Sequence, residues 1–379
     1  MTITVSDERD RVPFLMRAPV VAPELSIVVP TFNERENIEP LLARLDAALC
    51  GVGWEVIYVD DDSPDGTANE VRRLAQANPR IRCLQRIGRR GLSTAVIEGM
   101  LASSAPYLAV IDADLQHDET ALPRMLDAIK QQDLDIVVGS RHVTGGGVGD
   151  WDRRRVRISG VGARLAQLVI AAELTDPMSG FFVISRPAFE RAVRRLSGQG
   201  FKILVDLFAS TSTPYRFAEI PYVFRQRLRG ESKLDSLVAW EYLMLLVDKR
   251  LGGLVPIRFL SFSIIGVSGV AVHFLTLYCA LQLFSFPIAQ ACATVAAMTS
   301  NFILNNILTY RDRRLTGFRF FTGLLSFYGV CSLGAIANVG IASVAFGHHY
   351  TWWFSGLVGA VVGSVWNYAV SSVFTWRRK

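Results

Sequence analysis

The sequence predicts an α/β domain built on a mostly parallel sheet, followed in the same chain by an all-α membrane domain of four spans. Three observations carry this. Val- and Ile-rich runs alternate with amphipathic helical stretches in the first part of the chain; two long uncharged stretches fill the last part; and the basic excess is confined to the flanks of those stretches.

Apolar runs at 25–30, 54–61, 81–85, 107–112 and 135–139 read as strands. Between the first two, Ile38, Leu41, Leu42, Leu45, Ala48 and Leu49 share one face at helical spacing. Continuous apolar strands separated by helices belong to a mostly parallel sheet covered on both faces. Such sheets bind ligands beyond the carboxyl ends of their strands, so the chemistry is expected in the polar segments that follow them.

Three segments meet that expectation. Pro30-Thr31-Phe32-Asn33-Glu34 follows the first strand, Asp60-Asp61-Asp62-Ser63-Pro64-Asp65-Gly66-Thr67 the second, and Asp112-Ala113-Asp114-Leu115-Gln116-His117 the fourth. Alternation places Asp112 and Asp114 on one face of an extended end, with Gln116 two residues further on. Hard oxygen ligands at this spacing suit Mg²⁺ or Mn²⁺ carrying a diphosphate. A lone D-x-D is common in exposed acidic turns, but its place at the end of a Val/Ile strand beside a second acidic cluster favours the metal.

From residue 257 onward the chain carries eight basic residues and one acidic, a net of +7, leaving 32 basic and 33 acidic in the rest. That balance argues against nucleic acid, which needs a basic excess on the soluble part. Between Arg258 and Arg311 lie 52 uncharged residues, and between Arg319 and Arg377 lie 57. Each stretch is long enough for two crossings of about 20 residues. Breaks at Ser285-Phe286-Pro287 and Gly347-His348-His349-Tyr350 give spans near 257–284, 287–309, 319–346 and 351–376. All flanking Arg and Lys fall on one side, so the positive-inside rule places the first domain and the C-terminus in the cytoplasm. The charged segment 1–23 has no apolar core of a secretory signal. Five cysteines without a C-x-x-C pair indicate neither disulfides nor zinc.

The membrane half contains an internal repeat. Residues 301–311 align without gaps on 367–377, and Arg258-Phe259 has a counterpart in Arg319-Phe320. Two helical hairpins duplicated in parallel would produce this pattern. Asn301, Asn305, Asn306 and Asn367 could bind something polar, but interhelical glue among Gly266, Gly269, Gly334 and Gly363 is the preferred reading.

At this point the sequence resembles a known family. Val29-Pro-Thr-Phe-Asn-Glu34, Val59-Asp-Asp-Asp-Ser-Pro-Asp-Gly-Thr67 and Asp112-Ala-Asp-Leu-Gln-His117 look like the family 2 glycosyltransferases of the GT-A fold, specifically the dolichyl- or polyprenyl-phosphate β-mannosyltransferases. The resemblance continues through Val138-Gly-Ser-Arg141, Arg155 with Ser159, Asp176-Pro-Met-Ser-Gly-Phe181, Gly200-Phe-Lys-Ile-Leu204 and Arg227-Leu-Arg-Gly-Glu-Ser-Lys233. The membrane half resembles the GtrA-like domain often attached to these enzymes. Together these readings give a tail over 1–23, a Rossmann-like GT-A domain over 24–233, an interfacial helix and linker over 234–256, and the GtrA-like domain over 257–379.

The resemblance implies that Pro30, Phe32, Glu34 and Asp61 hold the nucleoside. Asp112, Asp114 and Gln116 would hold the metal and the sugar-nucleotide phosphates, with Arg227 and Lys233 closing over them. Arg141, Arg155 and Ser159 would hold the phosphate of a lipid acceptor, and Asp114, Arg141 and Arg155 would carry the chemistry. Two positions depart from the family pattern: Asp118 stands where Pro is usual, and Asp62 where Asn or Gly is frequent. The implied reaction transfers one hexose, mannose from GDP-mannose, to polyprenyl phosphate. Alternatives are glucosyl transfer from UDP-glucose and a non-catalytic lipid-linked-sugar flippase or scaffold; a homo-oligomer remains open. A processive synthase is disfavoured because no Q-x-x-R-W motif is present.

Plainer readings stand beside these. Arg153-Arg154-Arg155-Val156-Arg157 could be a juxtamembrane patch for anionic lipid. His117 reads as a local capping residue, 145–147 as a mobile loop, and 236–251 as an interfacial helix.

Overall fold

The computed structural model describes residues 22–149, 151, 153–198, 200–226, 236–252 and 255–377, and divides the chain into two compact units between Ser232 and Lys233.

The first unit is an α/β domain, as expected. Its strands are β1 (Leu25–Thr31), β2 (Trp54–Asp60), β3 (Ile81–Gln85), β4 (Tyr107–Val110), β5 (Ile136–Ser140), β6 (Phe182–Ser185) and β7 (Phe217–Pro221), in the order β3-β2-β1-β4-β6-β5-β7. Only β6 runs antiparallel, against both β4 and β5. The sequence runs anticipate β1 to β5; β6 and β7 are additions. Because β1, β2, β4 and β5 point the same way, the segments after them emerge along one sheet edge. The register is tight there, with Thr31 opposite Asp60.

Helices α1 (Arg35–Ala48), α2 (Thr67–Ala77), α3 (Leu92–Ala102) and α4 (Ala121–Gln131) connect and cover these strands. The apolar face anticipated for α1 is the one it buries, through Ile38, Leu41 and Leu45 against Leu25, Ile27 and Val29. Each aliphatic side chain removed from water in this way contributes roughly 1.5–3 kcal/mol. Next come α5 (Arg153–Ala166), α6 (Arg186–Val193) and α7 (Ile203–Ser210).

The second unit begins with α8 (Ser236–Arg250) and continues with α9 (Ile257–Ala280), α10 (Phe286–Leu304), α11 (Phe318–Gly347) and α12 (Trp352–Phe374). Among the described residues, four helices are long and apolar enough to cross a membrane, with α10 extended by a π turn to Thr309. The hairpins α9–α10 and α11–α12 share several equivalent contacts. Ser261 bonds Thr309 at 2.8 Å as Ser326 bonds Thr375 at 3.1 Å. A Cβ on Gly269 would lie 2.4 Å from Asn301 Oδ1, and one on Gly334 would lie 2.1 Å from Asn367 Oδ1. Tyr310 and Trp376, equivalent in the repeat, stack on each other with centroids 4.1 Å apart.

These contacts correct one pairing. Ser261 and Gly269 correspond to Ser326 and Gly334, so Arg258-Phe259 and Arg319-Phe320 are displaced by about one helical turn from true equivalence. What is duplicated is the buried contact between the helices of each hairpin. Asn305 and Asn306 are structural: Asn305 accepts from Thr309 Oγ1, while Asn306 brackets the Leu315 backbone and accepts from Trp376 Nε1.

Candidate active site

The nucleotide end of the site is built from the turns after β1 and β2. Most of the acidic side chains there serve the turns themselves. Asp60 accepts from Ser63 N at 2.9 Å and Ser63 Oγ at 2.5 Å, and Asp65 accepts from Thr67 N, Thr67 Oγ1 and Arg35 N. These bonds knit the start of α1 to the start of α2. Glu34 joins the same weave, its N–H donating to Thr67 Oγ1 and its carboxylate accepting from Asn37. Asp61 points the other way. Its Oδ1 accepts from Nε and Nη2 of Arg86, a guanidinium with no exposed side-chain surface, and its Oδ2 accepts from Gly91 N at 2.7 Å. Phe32, after Pro30, lies under the Arg90 guanidinium at 4.4 Å.

The Asp112 to His117 segment is a turn rather than a strand extension, because β4 ends at Val110 and Leu115 adopts φ +62°. Because residues 113 and 114 already lie in a turn, the alternation of an extended strand expected for Asp112 and Asp114 does not apply, and the left-handed Leu115 completes the bend. Asp114 Oδ1 accepts from Gln116 N, and the Gln116 amide nitrogen donates to Arg225 O at 3.1 Å. That bond settles the orientation of the amide and leaves its oxygen as the remaining ligand atom. Asp112 keeps 35 % of its side chain exposed, whereas Asp114 and Gln116 are buried.

His117 holds the turn together: its Nδ1 accepts from Asp112 N at 3.1 Å, and its ring stacks on Phe181. Burial pulls its pKa down to about 4, so the ring is neutral near pH 7 and adds no positive charge beside the acidic pair. Two carboxylates and one amide oxygen are a donor set that fits a hard divalent cation, while the neutral His117 ring, its Nδ1 already accepting from Asp112 N, supports the turn without ligating. Among the described residues no three His, Cys, Asp or Glu side chains gather into a complete metal cage. An ion held here would take its remaining ligands from a bound diphosphate.

Beyond β5 stands the basic half of the site. Arg141 is buried and donates from its backbone N, Nε and Nη2 to Asp176. Burial raises the Asp176 carboxyl, but the Arg141 hydrogen bonds and charge prevail and hold it below the usual carboxylate range. The same guanidinium lies 4.9 Å from the Trp151 ring, and Arg155 of α5 lies 4.2 Å from it. Ser159 follows Arg155 by one helical turn. The outer face of α5 exposes Val156, Arg157, Ile158 and Val161. The basic run is thereby divided, with Arg155 on the aromatic ring and Arg157 in solvent. Lys202 sits nearby, its Nζ donating to Met178 O at 3.3 Å; burial and the Arg141 charge draw its pKa down to about 8.

The structure thus brings Asp112, Asp114, Gln116, Arg141 and Arg155 to one edge of the sheet. Arg227 and Lys233 lie outside the described residues. Arg86, His117, Trp151 and Lys202 were given no part in the site from the sequence. Lys202 and His117 had a signal, Lys202 through its place in the 200–204 motif and His117 as the last residue of the 112–117 motif.

A mostly parallel sheet with an acidic turn and a buried arginine–carboxylate pair along one edge is the frame in which comparisons with known proteins place a glycosyltransferase. Residues 26–192 match the model described as glycosyl transferase family 2, and residues 261–376 match that described as GtrA/DPMS, transmembrane domain. The chain is 35 % identical over 360 residues to the dolichol-phosphate mannosyltransferase of Pyrococcus furiosus, covering 93 % of this chain and 99 % of that one. It is 36 % identical over 234 residues to the Saccharomyces cerevisiae enzyme of the same name, covering 59 % and 86 %. The chain belongs to this glycosyltransferase family and is a multi-pass membrane protein. Glucosyl-3-phosphoglycerate synthase from Mycobacterium tuberculosis aligns with 17 % identity and a TM-score of 0.45 over 60 % of this chain and 78 % of its own, a likeness too slight to bear on the site.

Proposed function

We propose that this protein transfers one mannose from GDP-mannose to polyprenyl phosphate, giving a β-linked lipid-phosphate sugar. The observation that carries the reading is the placement of the Asp112 to Gln116 turn and the Arg141–Asp176 pair at the ends of β4 and β5 on one sheet edge. In this reading Pro30, Phe32, Glu34 and Asp61 hold the nucleoside. Asp112, Asp114 and Gln116 hold the diphosphate through Mg²⁺ or Mn²⁺, and Arg227 and Lys233 close over it. Arg141, Arg155 and Ser159 receive the acceptor phosphate.

The charges explain the chemistry. A cation held by the acidic turn offsets the negative charge that builds on the departing nucleoside diphosphate. The acceptor oxygen is already anionic near neutral pH, so no strong general base is needed. Forked guanidinium contacts orient it for one in-line displacement, which inverts an α-linked donor. A polyprenyl tail accounts for an α/β domain joined to membrane spans.

Basic residues flanking the spans support a cytoplasmic catalytic domain and C-terminus. Cysteine introduced at Ser285 should react with an impermeant thiol reagent outside intact cells, and cysteine at Thr316 should not; the reverse pattern would overturn this topology. The donor is tested by competition. The purified chain should bind GDP-mannose at least about tenfold more tightly than UDP-glucose, a difference of about 1.4 kcal/mol. Preference for UDP-glucose would establish the glucosyl reading instead.

A further inference from the structure

The two arginines proposed to receive the acceptor phosphate share one aromatic surface. Arg141 Cζ lies 4.9 Å and Arg155 Cζ 4.2 Å from the Trp151 ring centroid, and both also approach Phe224, at 5.5 and 6.0 Å. Phe224 braces Trp151 edge-on at 5.4 Å. Asp176 neutralises Arg141 through the paired contact described above. Two guanidinium groups repel each other, and a site that must present both to a single phosphate needs an attractive element between bindings. An indole face is the strongest such element among aromatic side chains.

A second observation concerns the indole itself. Among the described residues Trp151 Nε1 is buried with no hydrogen-bond partner, although a buried Trp N–H ordinarily finds one. Phe would fill a purely apolar niche without that penalty. The indole therefore contributes something other than filling, and among the groups against its ring are the two guanidinia and Phe224.

We propose that Trp151 is a positioning residue for the acceptor site, holding Arg141 and Arg155 together so that both meet one phosphate. This rests on the reading that the arginine pair receives polyprenyl phosphate. Trp151 itself does not touch the reacting atoms. Its ring sets where the two cations stand before the lipid arrives, and so governs acceptor affinity rather than donor affinity. Phe224 continues the platform inward at 5.7 Å from His117, the residue that secures the Asp112 turn. The arginine platform and the acidic turn are thus parts of one packed aromatic row.

The test uses the full chain in detergent, with Trp151→Leu and Trp151→Phe beside the wild type. The readouts are the KM for a short polyprenyl phosphate and GDP-mannose affinity by calorimetry without lipid. Loss of two desolvated cation–π contacts in Trp151→Leu should raise the acceptor KM about tenfold or more, leaving donor affinity within about twofold. Trp151→Phe, which keeps a ring face, should recover to within about threefold of wild type. Calorimetric donor binding also reports that each variant is folded. An unchanged acceptor KM in Trp151→Leu, an equal loss of donor affinity, or a Phe variant as impaired as the Leu variant would overturn the proposal. A wild-type chain that binds GDP-mannose but does not use polyprenyl phosphate would instead remove the acceptor reading itself, and this proposal with it.

Discussion

Asp176 receives three hydrogen bonds from Arg141, at 3.0, 2.7 and 2.7 Å, and the two side chains retain only 1 % and 7 % exposure. The pair fixes the arginine edge-on against the carboxylate, so the Nη1 side of the fork faces away from it. A phosphate can then be met by a guanidinium whose orientation is settled in advance.

Replacing Asp176 with Ala should destabilise the domain by about 3–5 kcal/mol, because it leaves Arg141 buried without its counter-charge. The sign of the pH effect follows from a depressed carboxyl. Its stabilisation is full above the ordinary carboxylate value, about 3.9, and is lost as pH falls through the lower folded value. Thermal unfolding between pH 3 and 5 should fall less steeply in the variant than in wild type; equal slopes would contradict this.

His117 acts in a higher window. Its folded pKa, about 4, lies below the ordinary 6.5, so on acidification the unfolded chain takes up a proton before the folded one does. Stability should therefore decline from pH 6.5 towards 4. A His117→Gln variant, which retains an acceptor for Asp112 N–H, should flatten that decline. If both proteins lose stability equally across this range, His117 is not the group responsible.

Asp114→Ala should slow sugar transfer by at least about a hundredfold, since it removes a ligand of the charge that offsets the leaving group. The fold should survive. Chelation should abolish transfer by the wild type, with Mn²⁺ or Mg²⁺ restoring it. Transfer by the mutant within a few-fold of wild type would show that the turn holds no essential metal.

In the membrane unit, Gly334→Ala should cost about 1–3 kcal/mol, because its methyl group meets Asn367 Oδ1 at 2.1 Å. Adding Asn367→Ala should recover part of the loss, and the Gly269 and Asn301 pair should behave alike. Strictly additive effects on thermal stability would mean that the two positions do not touch.

Much of the α/β order was legible because β1 and β2 are predominantly apolar, Val- and Ile-rich runs that end in polar turn segments. β6 was not: Phe182–Ser185 has only four residues, and its antiparallel direction is set by long-range pairing with β4 and β5. Within the candidate site, motif letters did not separate Asp61, which meets Arg86, from Asp60 and Asp65, which cap turns. Identical carboxylates differ there only by backbone geometry. The bend at Leu115 was equally hidden, since leucine gives no hint of a left-handed conformation. Trp151 stood outside the quoted motifs, and its contacts join Arg141, just after β5, to Arg155 on α5.

The most direct test of the account is transfer of labelled mannose from GDP-mannose to a short polyprenyl phosphate by the purified full chain, with the product's anomeric configuration read by NMR. The account predicts a β-mannosyl lipid phosphate formed only when Mg²⁺ or Mn²⁺ is present. A folded chain that binds GDP-mannose with metal yet leaves polyprenyl phosphate unmodified, or that yields an α-linked product, would contradict it.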